Sequence, residues 1–72
     1  MARKKVKNKI REIRAGLGMT QQALANLVGV ARVSILSIEK GHFLPTIETA
    51  LQISKALEMP LEKIFWIEEE DT

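Results

Sequence analysis

The stretch QQALANLVGVARVSIL, Gln21 to Leu36, carries apolar residues at helical spacing from end to end, yet Gly29 stands inside it between Val28 and Val30. Glycine in a helix interior costs about 1 kcal/mol relative to alanine. A single helix is therefore a poor reading of this stretch. Glycine reaches positive φ without steric cost, and that is the conformation a residue closing a helix adopts. The spacing predicts one helix that stops at Gly29, a very short turn in which Val30 folds back over Ala25 or Leu24, and a second helix from about Arg32 to Lys40. Thr20 is a good N-cap for the first of these, because its hydroxyl can accept a hydrogen bond from a free backbone N–H. Met19 and Leu24 occupy the positions of a hydrophobic staple.

The flanking sequence continues the helical pattern. A first helix is expected from about Asn8 to Leu17, with Ile10, Ile13, Ala15 and Leu17 in helical spacing and Gly16 and Gly18 marking its end. After the loop HFLP, Thr46 caps a fourth helix, and Glu48 suits the positive end of its dipole. Its inward stripe is Ile47, Ala50, Leu51, Ile53, Ser54 and Leu57, and Pro60 ends it. A short fifth helix, about Leu61 to Phe65, turns Leu61, Ile64 and Phe65 inward. Strand signals are scarce, and the tail IEEEDT reads as polar and frayed at its end.

Seventy-two residues make one domain. A chain of this size buries only about 60% of its unfolded surface. There is no cysteine, hence no disulfide and no thiolate metal site. No apolar run approaches the roughly 18 residues of a membrane span, and no secretory signal is evident, so a soluble cytoplasmic protein is expected. The net charge of +2 hides a strong asymmetry. Residues 1–14 hold seven bases and one acid, residues 15–67 four of each sign, and residues 68–71 are Glu-Glu-Glu-Asp. The chain thus divides into a basic arm (1–7), a helical domain (8–65) and an acidic tail (66–72). The arm either contacts a polyanion or is solvated and pairs with the tail. Enzyme chemistry is not expected: there is one histidine, no cysteine, no phosphate-binding glycine loop and no pair of carboxylates in a plausible cleft. No metal, cofactor or small-molecule ligand is implied, since His42 has no partner at metal-ligand spacing.

With Gln21 counted as position one, small Ala25 falls at five and Gly29 at nine. Leu24, Val28, Val30, Ile35 and Ile38 fall at four, eight, ten, fifteen and eighteen. This is the helix-turn-helix pattern. A small residue at five lets the two helices cross closely, glycine at nine makes the turn, and the apolar positions seat the second helix so that its other face projects outward. With LGMTQ, LVGV, SILSIEKG, LPTIETALQISKAL and LEKIF, the segment Asn8–Phe65 resembles a phage-repressor/Cro-type (XRE-type) helix-turn-helix domain. The resemblance implies an all-α, compact five-helix, lambda-repressor-like DNA-binding domain. It also implies a transcription regulator, often a homodimer on a palindromic operator.

Position by position, the resemblance gives Gln21 a phosphate contact and makes Ala31, Arg32, Val33 and Ser37 base-facing. It places phosphate contacts near Lys40 and His42, although His42 also reads as a plain loop residue. Arg32 has the reach to pair with guanine O6 and N7, or to clamp a phosphate. Arg14 and Glu39 match a buried ion pair between the first and third helices. Two departures stand out: Ala31 replaces the usual Ser or Thr cap, and Val33 and Leu36 replace polar residues. A helical wheel places Val33, Leu36, Ser37 and Lys40 outward with Arg32 at the edge. Such an apolar face suits thymine methyl groups. It also suits a protein partner, which leaves an antitoxin-like or adaptor module as the alternative to a regulator binding double-stranded DNA. Phe65, Trp66 and Ile67 alternate with the period of a strand and are the candidate homodimer residues. The plainer reading has Phe65 in the core and Trp66 over the arm.

Overall fold

The structure is a computed structural model and describes residues 2–71. Its elements are β1 (Ala2–Asn8), α1 (Ile10–Gly16), α2 (Gln21–Val28), α3 (Arg32–Glu39), α4 (Ile47–Leu57), α5 (Leu61–Ile64) and β2 (Phe65–Asp71). Five helices enclose one core of Ile10, Leu24, Ala25, Ile35, Ile38, Ile53, Leu57 and Ile64, each nearly or fully inaccessible. Every helix contributes to it, and α2 and α3 supply half. Around it pack Ile13, Met19, Val28, Val30, Ala56, Met59 and Phe65.

Local chemistry explains the boundaries. The hydroxyl of Thr20 accepts from Ala23 N at 3.0 Å, and that of Thr46 accepts from Thr49 N at 3.1 Å. Each satisfies one of the donors a helix start leaves open. Gly29 has φ 85° and ψ 32°, and its N–H donates to the Ala25 carbonyl at 2.8 Å. The Val30 N–H donates to the same carbonyl at 3.0 Å, which turns the chain straight into α3. No atom beyond the neighbouring residues lies within 4 Å of where a Cβ on Gly29 would sit. Gly29→Ala is therefore expected to cost about 1–2 kcal/mol through left-handed backbone alone. Urea denaturation should find the loss, and Gly29→Asn should lose less. Ala31 begins α3 with extended backbone and no side-chain cap. Ala31→Ser should raise stability by up to about 1 kcal/mol, read as a higher thermal midpoint.

Several expectations are corrected. The tail forms a strand, while its last residue lies outside the described residues: β2 pairs antiparallel with β1, from Asn8↔Phe65 through Val6↔Ile67 and Lys5↔Glu68 to Ala2↔Asp71. The arm and the tail thus form a two-stranded ribbon beside the helices. Three consecutive bases, Arg3, Lys4 and Lys5, register with three consecutive acids, Glu70, Glu69 and Glu68. Of these pairs, Lys5 and Glu68 set opposite charges directly across the ladder, an arrangement that contributes roughly 0.2–1 kcal/mol.

Asn8 ends the strand and does not begin the helix. Its amide donates to the Ile38 carbonyl at 3.0 Å, its carbonyl oxygen accepts from Ile10 N at 3.2 Å, and α1 starts two residues later than expected. Phe65 likewise belongs to β2. Ala15 and Leu17 face solvent. So do Ile47 (80% exposed) and Leu51 (54%), both read as core. The apolar stripe of α4 is wider than the body it rests on. Ile53 and Leu57 lie on the covered side, while Ile47 and Leu51, one turn apart, lie on an uncovered flank.

Candidate nucleic-acid interface

The turn at Gly29 sets α3 across α2 and buries Ile35 and Ile38. The opposite side of α3 follows from that anchoring. Ala31, Arg32 and Val33 are exposed, Val33 at 57%, while Ser37 and Leu36 are half-buried. Lys40 and His42 are exposed beyond the helix end, where the His42 N–H donates to the Ser37 carbonyl at 2.9 Å.

A polar chain runs beneath this surface. The Arg14 Nε donates to Glu39 Oε2 at 2.8 Å, and the two side chains are only 13% and 4% exposed. The Arg14 Nη1 donates to the Met19 carbonyl at 2.9 Å, which ties α1 to the entry of α2. Glu39 Oε1 accepts from Gln21 Nε2 at 3.1 Å. Gln21 Oε1 in turn accepts from Arg32 Nη1 at 3.3 Å. Arg14, Glu39, Gln21 and Arg32 thus stand in series from the interior to the outer edge of α3. The amide of Gln21 is held from both ends, and Arg32 has a resting place at the start of α3.

A cleft lies beside this chain, lined by Arg11, Arg14, Gln21, Leu36, Glu39 and Lys40. Leu36, read as base-facing, is half-buried and lines this cleft. Arg11 was not singled out in the sequence, where it is one base among seven. The fold brings it to the same cleft as Lys40, and no local pattern reports that shared lining. Glu39 is engaged by Arg14, so the outward charge on this side is that of Arg11 and Lys40. The dimer candidates separate: Phe65 is half-buried against the core, and Trp66 lies opposite Lys7 on one face of the ribbon. Ile67 lies opposite Val6 on the other face. Among the described residues no group of His, Cys, Asp and Glu could hold a metal ion, and no helix is long and apolar enough to cross a membrane.

Helices α2 and α3, their glycine turn and the exposed face of α3 define a helix-turn-helix domain. A family profile described as Helix-turn-helix matches residues 10–64, and the chain belongs to that family. YgzD of Bacillus subtilis, an HTH-type transcriptional regulator, is 46% identical over 66 residues, 92% of this chain and all of YgzD. RstR, a cryptic phage CTXphi transcriptional repressor of Vibrio cholerae, is 30% identical over 60 residues, 83% of this chain and 54% of its own. Among solved structures, the P22 c2 repressor in complex with a synthetic operator superposes with a TM-score of 0.71 and 38% identity. It covers 74% of this chain and 80% of its own. The restriction-modification controller protein C.AhdI of Aeromonas hydrophila superposes with a TM-score of 0.72 and 28% identity, covering 75% and 82%.

Proposed function

We propose that the protein is a sequence-specific DNA-binding transcriptional regulator that inserts α3 into the major groove as a homodimer on a palindromic operator. The observation that carries this reading is the exposed face of α3, with Arg32 held at its edge by Gln21. Arg32 reads a guanine edge through two hydrogen bonds, while Val33 and Ala31 offer apolar contact to thymine methyls. Gln21, Lys40 and Arg11 surround the adjacent cleft and hold the phosphate backbone, assisted by the open N–H groups at the start of α2. His42 stands at the far end of the same surface. Acting by occupancy of an operator needs no catalysis and no cofactor, and it belongs beside the DNA in the cytoplasm. The ribbon modifies the part played by the arm. Arg3, Lys4 and Lys5 register with acids and Lys7 with Trp66, so the DNA contact is assigned to the helical body.

Random-site selection with the purified protein tests the reading. An inverted repeat with half-site centres about 34 Å apart supports it, since that is one helical turn. Affinity for the selected duplex should fall steeply with salt as phosphate contacts release counterions. No binding to any duplex at low salt would overturn the reading. The exposed Val33 face would then belong to a protein partner.

A further inference from the structure

The ribbon sets the two ends of the charge asymmetry against each other. β1 carries Arg3, Lys4, Lys5 and Lys7, and β2 carries Glu68, Glu69, Glu70 and Asp71, so the paired strands hold no net formal charge. The register puts Arg3, Lys4 and Lys5 beside Glu70, Glu69 and Glu68. The place of the ribbon matters as much as its charge. At its root the Asn8 amide donates to the Ile38 carbonyl at 3.0 Å, and the Lys9 N–H donates to the Ile64 carbonyl at 3.0 Å. β1 therefore leaves the body beside the last turn of α3, the turn that ends at exposed Lys40. Detached, residues 2–7 would span up to about 20 Å as extended chain. A duplex carries one phosphate charge per roughly 1.7 Å of its axis. Bases on such an arm, rooted at the edge of α3, would reach several phosphates if nothing else held them. A two-stranded ribbon is marginal in water, so opening it costs little.

We propose that β2 is a built-in competitor for duplex phosphates: its acids hold the basic arm in the ribbon and keep it off DNA. The proposal rests on the DNA-binding reading above. Two polyanions, the acidic strand and the duplex, compete for one set of bases. The strand belongs to the same chain, so its effective concentration is high and independent of dilution. The duplex has the denser charge and gains from released counterions, a gain that shrinks as salt rises. A closed ribbon withdraws the bases of β1 from the sequence-independent part of the affinity, the part that binds random duplex. Recognition is then left to α3 and the cleft beside it, and the protein is kept from settling on DNA that lacks its operator.

Titration of a labelled random duplex across a salt series tests this. The combined variant Glu68→Gln, Glu69→Gln and Glu70→Gln keeps the length of β2 and removes three of its charges. Its affinity for random duplex should rise about tenfold or more at low salt. Its salt slope should steepen by about 0.9 for each phosphate newly engaged, roughly two to three in all. The set Glu48→Gln, Glu58→Gln and Glu62→Gln removes the same charge from exposed positions of the helical body and should leave the slope nearly unchanged. In a chain that already carries Arg3→Gln, Lys4→Gln and Lys5→Gln, neutralising the tail should have no such effect, because the bases in register with it are gone. Circular dichroism should show the helical content of every variant preserved. A slope indifferent to the tail set, an equal shift from both sets, or an effect that persists without the three bases would overturn the proposal. A natural chain that ignores every duplex, with a tail-neutralised variant that binds, would remove the DNA reading and keep this one. An operator bound by the natural chain, with no response to neutralising the tail, would do the reverse.

Discussion

Glu39→Ala is expected to cost about 3–5 kcal/mol of folding stability, because it leaves the Arg14 guanidinium in a largely enclosed site without its counter-charge. A domain of this size has about 4–11 kcal/mol in total, so the variant should sit near the edge of unfolding. Urea denaturation followed by circular dichroism measures the loss. The carboxylate serves three donors: Arg14 Nε at 2.8 Å, Arg14 Nη2 at 3.4 Å and Gln21 Nε2 at 3.1 Å. Its removal therefore also frees Gln21. A loss below about 1 kcal/mol would mean that the pair behaves as if solvated.

Arg32→Ala carries the second large effect. Affinity for the selected operator should fall by about 1–3 kcal/mol, with binding to random duplex nearly unchanged. Competition titrations at one fixed salt concentration separate the two. Equal loss on both duplexes would assign the guanidinium to a phosphate. The resting bond to Gln21 is long, at 3.3 Å, and lies on the surface, so giving it up on binding costs little. Stability should not change, which sets this variant apart from Glu39→Ala.

The sequence discloses most where the chemistry is confined to a few neighbouring residues. Thr20 and Thr46 cap because a hydroxyl lies three residues before an open N–H, and Gly29 bends the chain because only a residue without Cβ takes that φ at no cost. Leu24, Ala25, Ile35 and Ile38 are buried because the helix period brings them to one seam. The same period misplaces Ile47 and Leu51, since it shows which residues align but not how wide the covering surface is. Arg11 and Lys40 come to line one cleft only after folding, so neither their spacing nor their type announces it. The strand in the tail is hidden for a related reason. EEED has little strand character alone, and its partner is at the opposite end of the chain, where ARKK looks equally unstructured.

That separation has a kinetic consequence. The helices and the glycine turn close over short stretches of chain, whereas joining 2–8 to 65–71 ties off a loop almost as long as the molecule. Loop-closure entropy grows with the length enclosed, and contacts remote in sequence wait for nearer ones. The ribbon is therefore the last piece to zip and the first to peel away, and its amides should exchange with solvent well before those of Leu24 or Ile53.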